Sequence, residues 1–172
     1  MTALGLLILR VVLGLTLAAH GSQKVFGWFG GSGMAGWTGL VQKLRMRPAL
    51  AWAWVAALSE LAGGLLVALG FLFPLGSLMI FGAMLVAIAL VHWPNGFWNT
   101  KRGYEFNLLI IAAGAALALT GPGAYSLDQI LRTHLPEPLT LIAGAIAVVA
   151  GVVVSLATRA PVAVAEAKPQ TT

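Results

Sequence analysis

Five apolar runs, divided by short polar intervals, organise the chain: about 4–20, 49–73, 75–93, 106–120 and 139–158. A helix that crosses a membrane needs about 20 mostly apolar residues. The second, third and fifth runs supply that length outright, and the first and fourth reach it with their flanks. Only Pro74 and its neighbours divide the second run from the third, so these two helices form a tight hairpin. No run alternates apolar and polar residues with the period of two that a lipid-facing barrel strand requires. The pattern predicts an all-α, integral membrane helical bundle over residues 1–158, without β-structure.

The intervals carry pattern of their own. Trp37, Leu40, Val41 and Leu44 share a helical face from which Gln42, Lys43 and Arg45 are absent, which predicts an amphipathic interfacial helix over about 36–46. Gly31-Ser32-Gly33-Met34-Ala35-Gly36 matches GxGxxG formally, but no strand precedes it, and a nucleotide-binding reading is rejected. Ser126 with Gln129 predicts the cap of a short helix over 127–135, which Pro136 and Pro138 then close. In the last run Ala143, Ala147, Gly151 and Ser155 recur every fourth residue, a small-residue stripe that lets a partner helix approach closely. The stretch 159–172, rich in Ala, Pro and Thr, has little to bury and reads as a disordered tail.

Composition sharpens the class. Hydrophobic residues make up 59 % of the 172 and charged residues 9 %, too few charges to cover a soluble globule. A net charge of +5 in so apolar a chain points to membrane topology and anionic lipid rather than to nucleic acid. The absence of cysteine removes disulfides, thiolate-bound iron–sulfur clusters and a catalytic thiol. The first run has no basic n-region or clean cleavage site and reads as a retained span. With five spans, Lys24, Lys43, Arg45 and Arg47, then Lys101 and Arg102, then Arg159 and Lys168 all fall on one side. The positive-inside rule places that side in the cytoplasm, with the N-terminus outside and the C-terminus within.

Polar residues inside the spans are the candidate chemistry, because a charge in the bilayer is costly unless paired or hydrated. Arg10 interrupts the first run, and Glu60 is the acidic residue deepest in any run. At about 1.5 Å per residue, Arg10 lies about 10 Å from one membrane face and Glu60 about 16 Å from the other. In a core of about 30 Å the two depths agree to within a turn, which predicts an Arg10–Glu60 pair. Such a pair is either a clasp that fixes helix register or the polar wall of a small-molecule or proton site, and the two roles are compatible. A second cluster gathers at the basic ends of the helices: His20, Gln23, Lys24, His92, Asn95, Tyr104, Glu105 and Asn107. These are either interfacial caps or, with histidine beside glutamate, a mouth for proton uptake and quinone chemistry. Haem ligation by His20 and His92 is disfavoured, since both stand at helix ends, and no metal site is expected.

Several ordered motifs resemble the DoxX family of membrane proteins. They begin with Arg10, Gly14, His20, Gly21, Gln23, Lys24, Phe26 and Gly27, then Phe29-Gly30-Gly31. They continue through Glu60, Gly63-Gly64, His92-Trp93, Asn95-Gly96-Phe97, Gly103-Tyr104-Glu105 and Asn107, to Gly121-Pro122-Gly123 and Tyr125-Ser126-Leu127-Asp128. The resemblance implies a four-helix membrane core, to which this chain adds a fifth C-terminal span. It also implies kinship with a subunit of thiosulfate:quinone oxidoreductase and with a component of bacterial membrane oxidoreductase complexes.

The expectation is therefore a multi-pass protein of the bacterial inner membrane, a quinone-interacting subunit of an oxidoreductase assembly without its own redox metal. Its partners would be lipids, other subunits and quinone. Whether this chain is itself catalytic stays open, and no catalytic residue is named. The alternative is a non-catalytic scaffold or assembly factor whose buried polar pairs only fix helix packing. A small-solute transporter is weaker, because no broken span is visible.

Overall fold

The computed structural model describes residues 1–161 and is helical throughout, with no strand among those residues. The long helices are α1 (Thr2–Val25), α3 (Ala49–Leu69), α4 (Leu75–Ala87) and α7 (Leu139–Ala157). Between them lie α2 (Gly33–Lys43), α5 (Glu105–Thr120) and the short α6 (Leu127–Leu131). α1, α3, α7 and α4 with its continuation to Asn95 are each long and apolar enough to cross a membrane. α5 has 16 residues.

Helix ends follow from local chemistry. Gly70, in the left-handed conformation at φ 62°, stops α3 four residues short of the end of its apolar run. Pro74 then stands at the start of α4, where its missing N–H is harmless. α4 runs on through a π-helical segment, Ile88–His92, in which the Trp93 N–H donates to the Ile88 carbonyl. Pro94 follows and has no N–H with which to continue the ladder, so the wide turn comes where regular bonding must end. Ser126 Oγ accepts the Gln129 N–H and caps α6 as expected. That helix stops at Leu131 rather than near 135, because Arg132 adopts a left-handed φ of 55°.

α1 and α3 form the antiparallel centre, and glycine makes their contact a backbone one. A Cβ on Gly14 would lie 2.5 Å from the Gly64 carbonyl oxygen, and one on Gly21 would lie 2.3 Å from the Leu61 nitrogen. Residues 14, 18 and 21 of α1 thus sit beside 68, 64 and 61 of α3. In that register α3 continues beyond the end of α1, and α2 fills the space. Trp37 Nε1 donates to the Ala53 carbonyl at 3.0 Å, and Val41 packs with Met46 and Ala53. Leu13, Leu17, Val67, Ile80, Met84, Ile110 and Leu117 join α1, α3, α4 and α5 in the main core.

The fifth span packs along α4, with Leu78 seated against Gly144. Its inward face is Leu141, Gly144, Val148, Val152 and Ser155, whereas Ala143, Ala147 and Gly151 of the small-residue stripe are exposed. Only Ser155 of that stripe is buried. The expected tail at 159–172 is also corrected at its start. Arg159 Nε donates to the Leu44 carbonyl and the Ala160 N–H to the Arg45 carbonyl, which pins the chain to the turn after α2. Residues 162–172 of that expectation lie outside the described residues.

Candidate functional site

Arg10 and Glu60 do not meet. The α1–α3 register sets them about 12 residues apart, or roughly 18 Å along the helix axes. The depth arithmetic failed because it took the two helices to end at one level, whereas α1 continues to Val25 and α3 overhangs it. Each charge has its own partners instead.

At one end, Arg10 is 2 % exposed, and its guanidinium donates to the Ala68 carbonyl at 3.2 Å and to the Tyr125 carbonyl. Room for it exists because residue 70 is glycine: a Cβ there would collide with Arg10 Nη1 and with Ser126. Asp128, also buried, accepts the N–H groups of Leu72 and Phe73 at 2.9 Å each, and its own N–H donates to the Gly70 carbonyl. Arg10 ties the last turn of α3 to the segment before α6, and Asp128 ties α6 to the α3–α4 turn. Their charge serves backbone groups that a helix end would otherwise leave unpaired.

At the other end, Lys24 in the last turn of α1 forms a part-buried ion pair with Glu60 of α3, the side chains 18 % and 7 % exposed. Lys24 Nζ also lies 4.4 Å from the centre of the Trp37 ring, so α2 supplies an aromatic roof for the cation. The pair forms the polar end of a pocket of about 90 Å³, otherwise walled by Trp37 and Val41 of α2, Trp52 and Ala56 of α3, and Val86 and Leu90 of α4 and its π-helical extension. An ammonium and a carboxylate facing an apolar, aromatic-walled space can hydrogen-bond an uncharged polar headgroup whose remainder is apolar.

The rest of the expected cluster separates from this pair. His20 is on an exposed face of α1, and Gln23 donates to the Phe29 carbonyl at 3.2 Å. His92 Nδ1 and Asn95 Nδ2 both contact the Arg102 carbonyl, at 2.8 and 3.3 Å. Glu105 accepts the Asn99 N–H at 2.9 Å, and Tyr104 stacks on Trp93 at 5.3 Å between ring centres. These four build the loop between α4 and α5. Asn107 is buried apart from them, its Nδ2 3.3 Å from Met84 Sδ. A single mouth running from His20 to Glu105 is therefore replaced by two separate features, the Lys24–Glu60 pocket and a hydrogen-bonded loop.

Sequence reasoning missed the pairing of Lys24 with Glu60, the role of Trp52, and the clasp made by Asp128. The Lys24 pairing had a signal, since a lysine in the last turn of one span and a glutamate in the next are natural partners. Asp128 had a weaker one, as the acidic residue just after the Gly121-Pro122-Gly123 turn.

Comparison with known proteins agrees with this architecture. Residues 5–93 match the family described as DoxX. The chain is 30 % identical over 136 residues to Inner membrane protein YqjF of Escherichia coli (strain K12), covering 74 % of this chain and 92 % of that protein. No solved structure matches it.

Proposed function

This chain belongs to the DoxX family of membrane proteins, and from that premise we propose that it is a quinone-binding subunit of an oxidoreductase assembly in the bacterial inner membrane. The observation that carries the proposal is the Lys24–Glu60 pair at the polar end of an apolar pocket. Lys24 has three N–H donors, and Glu60 uses one of them. Another is available to a quinone carbonyl oxygen. Glu60 holds the ammonium in place and offsets its charge, while Trp37 and Trp52 flank the ring plane. The chain would thus orient the quinone, and a partner subunit would bring the electron donor. In this arrangement the basic loops and the Lys24 pocket face the cytoplasm, following the positive-inside rule.

The second reading, a scaffold without a ligand, is favoured by Arg10 and Asp128, whose hydrogen bonds all go to backbone groups. The two readings part on one experiment. The protein is purified in native lipid discs beside its Glu60→Gln and Lys24→Met variants, and quinone is extracted and quantified per protein. The quinone reading expects enrichment over bulk lipid in the parent and its loss in both folded variants. Equal quinone in parent, variants and bulk lipid would leave the scaffold.

A further inference from the structure

The headgroup pocket has a neighbour. Between α4 and α7 lies a second cavity of about 300 Å³, lined on α4 by Leu75, Leu78 and Met79 and on α7 by Ala147, Val148 and Gly151. It is almost wholly apolar, and two residues, Gly82 and Val86, belong to its wall and to the wall of the Lys24–Glu60 pocket alike. Ser59, next to Glu60 on α3, lines it as well. At the junction Gly82 has no side chain, and a Cβ there would meet nothing within 4 Å, so open space is left where the two cavities adjoin. Taken together, the lining positions on α4 and its extension run from Leu75 to Val91, about 24 Å of helix. That is most of a hydrocarbon core of about 30 Å.

We infer that this groove holds the apolar tail of the same molecule whose headgroup sits at Lys24 and Glu60. The ligand is then a long-chain isoprenoid quinone, and the appended fifth helix is one wall of its tail site. The inference rests on the quinone reading above. It adds that α7 contributes to ligand selection, for which the seating of Leu78 against Gly144 provides the fixed spacing. Lipid chains are as apolar as the groove, so the tail gains packing contacts rather than removal from water. The expected selectivity is correspondingly modest.

The test uses the full chain in lipid discs and two probes, a tail-less benzoquinone and a quinone carrying a photoreactive group midway along an isoprenoid tail. In the parent, illumination should label residues of α4 around 75–79 and of α7 around 144–152. Ala147→Leu with Gly151→Leu fills the groove from α7, whose residues do not line the headgroup pocket. That variant should lose the labelling and lower the preference for the tailed over the tail-less probe by about three- to tenfold. Tail-less binding with tail labels scattered over outward residues such as Val12 and Ile146 would overturn the tail site and leave the headgroup reading standing. Equal labelling of the groove by a phospholipid with a photoreactive acyl chain would also overturn it, as an ordinary lipid contact. Failure of both quinone probes to bind would remove the headgroup reading, and the tail site with it.

Discussion

Arg10→Lys and Glu60→Gln, made singly and together, test whether the two buried charges act as one unit. Arg10 reaches the carbonyls of Ala68 and Tyr125 from its two separate Nη atoms, whereas lysine carries all three N–H donors on one nitrogen of a shorter side chain, so one of those carbonyls is left unpaired. A buried group stripped of its partner costs about 1–3 kcal/mol, which is the loss expected of Arg10→Lys. Glu60→Gln breaks a part-buried ion pair and should cost about 1–3 kcal/mol, between the values for exposed and fully buried pairs. The register separates the two sites by roughly 18 Å. Sites so far apart add to within about 0.5 kcal/mol, so the double variant should show the plain sum. Reversible unfolding in mixed micelles reads all three free energies. A matching cycle on Lys24→Met and Glu60→Gln should give a coupling of about 1–3 kcal/mol, as contacting residues do. Coupling above about 1 kcal/mol between Arg10 and Glu60, or none between Lys24 and Glu60, would refute the assignment of partners.

Gly14→Ala should destabilise the bundle by about 1–3 kcal/mol, because its Cβ would meet the Gly64 carbonyl oxygen at 2.5 Å and force α1 and α3 apart. Thermal unfolding in detergent checks this, with Gly5→Ala, where a Cβ meets nothing within 4 Å, expected to leave the midpoint in place. Asp128→Ala frees the N–H groups of Leu72 and Phe73 and should cost about 2–5 kcal/mol, read also as faster amide exchange at those two residues. Arg159→Ala releases the Leu44 carbonyl, and exchange should rise across 44–46 while the turn at 70–73 keeps its protection.

How far the sequence revealed this protein depends on which physical signal each feature leaves. Hydropathy located the five apolar helices, since α1, α3, α4, α7 and the shorter α5 must each bury an apolar run or expose it to lipid. Pro48, Gly70, Pro74, Gly121 and Pro138 mark helix ends because backbone chemistry acts locally. Register between helices leaves no comparable trace in one chain. It arises from the Gly14–Gly64 and Gly21–Leu61 contacts, and these set which charges meet. A shift of three turns was enough to exchange Arg10 for Lys24 as the partner of Glu60. Asp128 and Arg10 were illegible for a related reason. Their partners are main-chain groups, and every residue carries those.

The most direct test of the central claim is the carbonyl stretch of bound quinone, measured by infrared difference spectroscopy with a carbonyl-labelled quinone in the full protein. A carbonyl that accepts a hydrogen bond from Lys24 absorbs at lower frequency than free quinone in lipid. That shift should appear in the parent and vanish in Lys24→Met, with Arg10→Lys retaining it. An unshifted band in the parent, or a shift that survives Lys24→Met, would contradict the placement of quinone at the Lys24–Glu60 pair.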